Sequence, residues 1–555
     1  MKFIKGNDRN QITLFPTSIE DIIAEDNIVR ALDIFVDSLD LIEMGFKLDF
    51  PENGRPAYHP SALLKLYIYG YMNKIRSSRM LERECSRNIE LMWLLGQLAP
   101  DHNTINNFRK DNPKAIKRVF RATVKIAKNH ELIGGTLLAG DSTKLRAQNS
   151  KKNNYNDKKI QRHIDYIDKK VAQYNQLLEQ GDDDVDNQKI QQELDRQQKR
   201  KENYNQLKDQ LEASGQDQLS TSDPQSRQMI VRNNITEVVY NLQSTVDAKH
   251  CIPIDYKVTN NNDTKAMGNM LRRAKTIVGT SQFTALYDKG YHTGSEFKTA
   301  NDLGIETLVA VPGIGRASQA PDPKYNAEHF QYDHHSDTYR CPQGHRMVSN
   351  GSWYKGRNYQ FKQYKTKACK GCPVRELCTT AKNGKILQRS EFHTYVEQNA
   401  KRVVNDKETY KKRQAIVEHP FGTIKRQWGF DHIMTKKTKQ RAAADIGFIF
   451  IAYNLKRVWN IVGAKAFKKS LYKLLKTILR SKKHFQCIFE QVFLRNATYL
   501  IFSTLSANKI RNEYFSAESI NNGRFLDRLP LCTSKRNDPA LLNCHKSITI
   551  GHYDI

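Results

Sequence analysis

The sequence predicts a mixed α/β protein that begins with an all-α domain. From about residue 20 to residue 130, apolar residues recur at the three- and four-residue spacing of amphipathic helices. Short apolar runs such as IGGTLLAG and IETLVAVP then follow, as in buried strands, and helical segments alternate with them. Strands that alternate with helices after an all-helical start predict a mixed sheet covered by helices.

The composition favours a globular protein with a polyanionic partner. A chain of 555 residues with 39% hydrophobic and 27% charged residues can form several folded units, and it is not disordered throughout. Lys and Arg outnumber Asp and Glu by 89 to 59, which gives a net charge of +30. Nucleic acid is the leading partner on this basis, and a ribosome-associated or merely soluble basic protein is the alternative.

The sequence also predicts a protein that stays inside the cell. The opening MKFIKGNDRNQ lacks the apolar segment of a signal peptide, and no run of about 18 apolar residues could span a bilayer. We therefore expect no membrane partner. Nine cysteines in such a protein are expected to be thiols or metal ligands and not a disulfide framework.

Residues 1–130 are expected to recognise DNA. The segment SIEDIIAEDNIVRALDIFVDSL opens close to a capping box and predicts a helix, and YHPSALLKLYIYGYM predicts another. Shorter helices up to HNTINNFRKDN suit a helix-turn-helix-like module, although a bundle that only supports the rest is the alternative. The candidate DNA contacts among its basic residues are Arg76, Arg79 and Arg109.

The remaining chain divides into a core and two insertions by changes in composition. A polar, charged stretch at 151–220 predicts a helical hairpin, and a stretch rich in Pro, Gly, Tyr and Cys at 311–405 predicts a second insertion. The core is predicted from three separate segments, 131–150, 221–310 and 406–460. Residues 461–555 form a basic tail to which we assign no function.

Two carboxylates lie where strands are predicted to end, and a third lies on a later helix. They are Asp141 in LLAGDST, Asp288 in ALYDKGY and Glu418 in VEHPFG. An Asp at a strand end is commonly a turn former, so each residue alone is a weak signal. Three converging carboxylates, however, suffice to hold two Mg²⁺ ions for displacement at phosphorus.

These three motifs identify a family. GDSTKLRAQNS, YDKGYHT and VEHPFGTIKRQWGF, in this order, resemble the signatures of DDE transposases of bacterial insertion sequences. DRNQITLFPTSIEDIIAEDNIVRALDIFVD, RPAYHPSALLKLYIYGYM and APDHNTINNFRK are similar to the N-terminal region of the family's longer members. The resemblance covers roughly residues 8 to 460.

The resemblance implies an RNase H-like catalytic fold and metal-dependent cleavage and joining of DNA at the ends of an element. It assigns Asp141, Asp288 and Glu418 as the three acids that hold two Mg²⁺ ions, for which Mn²⁺ can substitute. It also implies double-stranded DNA with terminal inverted repeats and target DNA as partners, a homodimer that joins two ends, and a cytoplasmic, nucleoid-associated enzyme.

Further DNA contacts are expected near the third acid. The resemblance places Tyr291 and Lys425 near the cleaved end, and Arg426 beside Lys425 is expected to meet the same phosphate. Seven residues separate Glu418 from Lys425, about two helical turns, which puts both on one face of an ideal helix. Pro420 complicates this expectation, because a proline in the interior of a helix destabilises the helix by about 3 kcal/mol. An amphipathic helix with a solvated charged face is the alternative.

A cysteine cluster in the second insertion has two interpretations. Cys369 and Cys372 have the spacing of a zinc-binding pair, and Cys341 and Cys378 would complete a tetrahedral site, with His345 as an alternative ligand to Cys341. A regular zinc ribbon has two such pairs, and only one is present here. Reduced structural thiols are the other interpretation.

The sequence thus predicts a DDE transposase and leaves two alternatives open. One is a metal-dependent nuclease that cuts DNA without joining it. The other is a catalytically silent DNA-binding repressor derived from a mobile element, although the presence of all three acids speaks against decay of the site.

Overall fold

The structure is a computed structural model that describes residues 18–48, 56–180, 184–232 and 234–476. These residues belong to a unit that spans Met1–Leu479. The second unit, Arg480–Ile555, lies outside the described residues. Most of the predicted basic tail, 461–555, therefore lies outside them as well, although residues 464–476 are helical.

Helices occupy the described part of residues 1–130. The sequence predicts a helix that starts near Ser18, but the structure divides this segment in two because the Asn27 side chain accepts the N–H of Val29 and caps a second helix. Asp101 caps a later helix in the same way. The helices are α1 (Ile19–Ile22), α2 (Ile28–Asp37), α3 (Pro60–Met72), α4 (Ser78–Cys85), α5 (Ile89–Leu95), α6 (His102–Asp111) and α7 (Pro113–Asn129).

A mixed sheet with helices follows, as predicted. Its strands are β1 (Leu137–Arg146), β4 (Arg227–Arg232), β5 (Ile235–Asp247), β6 (Ile252–Thr259), β7 (Thr284–Tyr287) and β8 (Glu306–Val309), in the order β4-β5-β1-β7-β8 with β6 also paired to β5. β5 is antiparallel to β1, β4 and β6, whereas β1, β7 and β8 are parallel. Helices α10 (Met267–Val278) and α11 (Gly294–Asp302) connect β6 to β7 and β7 to β8.

Strand β1 differs from the sequence prediction at its end. The apolar run predicts a strand that stops at Asp141, but β1 continues to Arg146 and Asp141 lies within it, opposite Ser244. The polar residues after Asp141 stay extended because the long strand β5 supplies hydrogen-bonding partners along its whole length. Asp141 is therefore held by a paired strand and not by a turn.

The two predicted insertions contain their own small elements. Residues 151–220 hold β2 (Asn154–Tyr155), α8 (Asp157–Gln180), α9 (Asp184–Ser214) and β3 (Leu219–Ser220), and apolar contacts of Ile160, Ile164 and Leu211 join the two helices. Residues 311–405 hold an antiparallel sheet of β9 (Gln331–Asp333), β10 (Thr338–Arg340), β11 (Arg346–Ser349), β12 (Tyr354–Lys355), β13 (Gln360–Lys365) and β14 (Leu387–Ser390), with α12 (Arg375–Cys378) between β13 and β14.

Three helices follow the second insertion's sheet, ahead of the helical residues 464–476: α13 (His393–Asn405), α14 (Lys407–Gly422) and α15 (Lys439–Val462). α15 is buried along most of its length, and its Phe448 stacks on Tyr67 of α3 with ring centroids 4.7 Å apart. The N-terminal helices, the sheet and α15 therefore share one hydrophobic core. None of the described helices combines the length and the apolar character needed to cross a lipid bilayer.

A buried ion cluster joins the N-terminal helices to α15. The Asp445 side chain is fully buried and lies 2.6 Å from Arg76 Nη2 and 3.4 Å from Arg109 Nη1. The Tyr71 hydroxyl and the Met434 N–H also donate to this carboxylate. Burial alone would raise the pKa of Asp445, but the two guanidinium charges hold it below its ordinary value.

Replacing Asp445 by Asn is expected to destabilise the protein by about 3–5 kcal/mol, because two buried arginines would lose their counter-charge. Chemical denaturation followed by circular dichroism measures the change. Lys411→Ala, which removes an exposed ion pair with Glu408, is the control and should change the stability little. Equal effects of the two variants would contradict the structural role of Asp445.

Candidate active site

Asp141 is the most buried of the predicted catalytic acids. Its Oδ1 accepts the N–H of Ser142 at 2.7 Å, and its Oδ2 lies 3.3 Å from Arg413 Nη1. Burial raises the pKa of Asp141 to about 6; Arg413 opposes this shift, while the charges of Asp288 and Asp263 add to it. A carboxylate in this setting gains from a cation placed beside it.

Asp288 lies beside Asp141 because β1 and β7 are parallel neighbours. Ala139 pairs with Leu286, so two residues further along each strand the register brings the two acids side by side. Gly140 permits this close packing, since a Cβ there would lie 2.0 Å from the Tyr287 ring. Asp288 Oδ1 accepts the N–H of Gly290 at 2.9 Å, which fixes the turn after β7.

Asp263 is a third acid at this site that the sequence analysis missed. It follows β6, and its Oδ1 accepts hydrogen bonds from the buried amides of Asn241 at 2.7 Å and Gln243 at 2.5 Å. A Cβ on Gly290 would lie 3.1 Å from Asp288 Oδ1 and 3.8 Å from Asp263 Oδ2, so both carboxylates border that glycine. It lies in the turn four residues after the end of β6, so a search for acids directly at strand ends does not find it.

Glu418 is not grouped with Asp141 and Asp288. Its side chain is exposed, and Oε1 accepts a hydrogen bond from Gln414 at 2.8 Å. The residue of α14 that contacts Asp141 is Arg413. The sequence analysis missed it, although it lies only five residues before Glu418 on the same helix. α14 itself is well placed, because its buried Ile416 and Val417 pack in one apolar cluster with residues of β1 and β7.

Pro420 neither starts nor ends a helix. α14 runs through it to Gly422 and continues as a π-helical turn, Thr423–Gln427. A proline lacks the N–H that would bond to the carbonyl one turn earlier, and a π turn has more residues per turn than an α-helix. The ideal-helix argument that puts Glu418 and Lys425 on one face therefore does not apply.

The basic and aromatic residues near Glu418 have different surroundings. Lys425 is half-buried and donates to Thr143 of β1 at 3.0 Å; burial lowers its pKa. Arg426 is exposed. Tyr291 is fully buried and its hydroxyl donates to Gln243, so the predicted contact of Tyr291 with DNA does not hold in this structure. It instead supports the amide that holds Asp263.

The predicted contacts of Arg76 and Arg109 with DNA are wrong in this structure. Both guanidinium groups are buried against Asp445, and their side chains are only 5% and 2% exposed. An arginine in this position neutralises a buried acid and does not reach a phosphate. Arg79, on the exposed surface of α4, remains a prediction.

The four cysteines of the second insertion border one small cavity of about 30 Å³, together with His345. Burial raises the pKa of Cys378, and the other three thiols add to this shift, so all four are electrostatic neighbours. Nowhere in the described ranges, however, are three or more His, Cys, Asp or Glu side chains arranged to hold a metal ion. This applies to the thiols and to the acids alike.

Two family models match the chain. Residues 17–111 match the Transposase domain (DUF772), and residues 340–459 match the Transposase DDE domain. The two matches together support a DDE-type transposase. The DDE match indicates an enzyme that cleaves DNA and transfers strands.

The DDE match includes the cysteine cluster, Glu418 and most of α15, and it begins after Asp141 and Asp288 in the chain. The transposase has no match among curated proteins. Among solved structures it is similar to the chain in "Cryo-EM structure of piggyBac transposase synaptic complex with hairpin DNA (SNHP)", at 10% sequence identity and a TM-score of 0.28, over 81% of this chain and 79% of that chain. A score this low supports no structural comparison.

Asp141→Asn is expected to remove a pH dependence of stability. The pKa of Asp141 is about 6 in the folded chain, above its ordinary value. Between these two pH values the folded state binds more protons than the unfolded state, so stability falls as pH rises from about 4 to about 6. The variant should therefore be more stable than wild type above about pH 7, by about 1–3 kcal/mol, and equal to it near pH 4.

Chemical denaturation without metal at both pH values measures this difference. Asp302→Asn, an exposed acid paired with Lys298, is the matched control and should not change the pH dependence. A variant less stable than wild type at the higher pH would show that ionised Asp141 is a stabilising partner of Arg413.

Proposed function

We propose that Asp141, Asp288 and Glu418 hold two Mg²⁺ ions at the catalytic centre of an RNase H-like core. The observation that carries this proposal is the adjacency of Asp141 and Asp288 on neighbouring parallel strands, with the pKa of Asp141 raised to about 6. The sheet topology supports this core. The antiparallel strands β1, β5 and β6 are followed in the chain by β7 and β8, which run parallel to β1.

The donor set fits Mg²⁺. Mg²⁺ prefers oxygen ligands, keeps several waters, and is commonly bound through one or two carboxylates and the phosphates of the substrate. A pair of acids that need not form a closed cage therefore suits it. When bound, the ions activate an attacking hydroxyl and neutralise charge at the leaving oxygen.

Glu418 would join the two aspartates by leaving Gln414. Its carboxylate is exposed and held by a single side-chain amide, so a change of rotamer frees it at small cost. Arg413 offsets the charge of Asp141 until a cation replaces it. Asp263 positions the site by holding the amides of Asn241 and Gln243 beneath it.

The proposed substrates are terminal inverted repeats and target DNA. Lys425 and Arg426 would contact phosphates near the cleaved end. Lys425 already donates to Thr143, which lies two residues after Asp141 on β1. Arg79 and other exposed cations of α4 would contribute to end recognition by residues 1–130. Two ends must be joined, so the active form is proposed to be a homodimer, and the site of action is the bacterial nucleoid.

We also propose that the second insertion binds one structural Zn²⁺. Four thiols bordering one cavity have the donor chemistry of such a site, and the ion would draw them into a tetrahedron. Thiolates bound to zinc would also no longer repel one another. The ion would stabilise the insertion and take no part in cleavage.

Asp288→Asn is expected to abolish cleavage and strand transfer while DNA binding stays nearly intact, because the substitution removes a metal ligand and keeps the shape of the side chain. Gel assays with inverted-repeat DNA measure cleavage, and pre-cleaved ends measure joining. Asp302→Asn is the control and should be fully active. A cleaving Asp288→Asn variant would refute the site, whereas a wild-type enzyme that cuts but never joins would be a nuclease.

Protein purified under reducing conditions without chelator should contain about one zinc per chain. Metal analysis by mass spectrometry measures it, and Cys372→Ser should lower both the zinc content and the melting temperature. Cys85→Ser, in a buried thiol of α4, is the control for the zinc content. Wild-type protein free of zinc would leave the cysteines as structural thiols.

A further inference from the structure

The sheet of the second insertion has one covered face and one open face. Tyr339, Met347 and Tyr364 are buried on the covered face in a small core of their own. Successive residues of a strand point to opposite faces, so Val348 and Lys365, which pair across β11 and β13, lie on the other side. Val348 is 50% exposed, so that side of the sheet is open.

Three aromatic rings continue the open face along the β12–β13 hairpin. Tyr354 pairs with Phe361 across the hairpin, with stacked rings 5.8 Å apart, and the Tyr359 ring lies 6.0 Å from Phe361. We call Tyr354, Tyr359 and Phe361 the aromatic face. Tyr354 and Tyr359 are 37% and 44% exposed, so these rings present their surfaces to solvent.

The turn of the hairpin fixes the aromatic face. The Gly356 N–H donates to the Tyr359 carbonyl at 2.8 Å, and a Cβ on Gly356 would lie 3.0 Å from that oxygen. A side chain at position 356 would crowd that carbonyl, so glycine suits this turn. The turn therefore sets where the backbone of Tyr359 lies relative to β12, which places the three rings near one another.

The segment that carries the aromatic face is basic, although Glu391 also borders it, where its Oε1 accepts the N–H of Gln360 at 2.9 Å. Residues 338–375 contain nine Lys and Arg and no Asp or Glu. Lys355 and Arg357 lie in the hairpin, and Lys365 lies on the same side of β13 as Phe361. A protein partner would need an acidic surface with apolar groups between its charges, whereas a nucleic acid strand offers phosphates and flat bases together.

We propose that the aromatic face binds unpaired nucleotides of a DNA strand. Bases stack on the exposed rings while the surrounding cations hold the phosphates. Paired bases in a duplex are stacked on one another and cannot offer their faces, so the surface discriminates unpaired from paired DNA. The inference rests on DNA being the substrate of the transposase, and it concerns binding apart from the acids that cleave.

Fluorescence anisotropy of the full chain with a labelled single strand of about 15 nucleotides, and with the matching duplex, tests the proposal. A buffer without Mg²⁺ or Mn²⁺, and without chelator, makes the result independent of cleavage and leaves the thiol cluster of the insertion undisturbed. Tyr354→Ala/Tyr359→Ala should lower the affinity for the single strand about tenfold or more and change that for the duplex less than about twofold. Tyr354→Phe/Tyr359→Phe keeps the rings and should bind like wild type.

Tyr166→Ala, which removes an exposed ring from α8, is the matched control and should not affect binding. Photocrosslinking of the wild-type chain to a strand that carries bromodeoxyuridine should modify Tyr354 or Tyr359, and this result does not depend on the folding of a variant. Unchanged affinity of the alanine variant, an equal loss for both DNA forms, or crosslinks elsewhere alone would overturn the proposal.

Discussion

The buried carboxylate of Asp445 is the interaction on which the arrangement of the molecule depends. It brings together Arg76 and Arg109 from the N-terminal helices, 369 and 336 residues away in the chain. A buried charge is costly unless it is paired, so packings that separate α15 from these helices leave charges unsatisfied. The hydrophobic core supplies the attraction between the helices, and the ion cluster restricts how they meet.

The same cluster reaches the candidate active site through one short segment. Asp445 accepts the N–H of Met434, and Arg76 donates to the carbonyl of His432 at 2.7 Å. This segment is hydrogen-bonded in turn to the end of β1. The Arg146 N–H donates to the Asp431 carbonyl, and the Arg146 carbonyl accepts the N–H of Ile433. The strand that carries Asp141 is thereby anchored to the N-terminal helices through hydrogen bonds as well as apolar packing.

Two buried acids in this molecule show opposite pKa shifts for one reason. Burial raises the pKa of both Asp445 and Asp141, but two arginines reverse the shift at Asp445, whereas at Asp141 the single Arg413 is opposed by Asp263 and Asp288. Asp445 is therefore a satisfied structural ion, and Asp141 is an acid that a further cation would stabilise. Sequence alone presents both as an Asp that follows small or apolar residues.

The sequence predicts the order of helices and strands well, because apolar periodicity is a local property. It puts Asp288 directly after a strand, as in the structure, but it ends β1 too early, since the pairing that extends the strand comes from β5 about one hundred residues later. Arg76 and Arg109 were expected at the surface because arginine is usually exposed, and their partner lies in a distant helix. The π turn after Pro420 likewise departs from the ideal helical spacing on which the sequence prediction relied.

Charge is segregated in this chain, and the segregation explains why so basic a protein keeps buried acids. Residues 338–375 of the second insertion carry cations without an acidic residue among them, and a polyanion can replace the water at those that are exposed. Asp141, Asp263 and Asp288 lie instead close together at the sheet, where the charges of Asp263 and Asp288 act on the partly buried Asp141. The basic surface attracts phosphates, and the acidic centre attracts a cation. The two are complementary, because the acids repel a phosphate brought to the centre unless a cation lies between them.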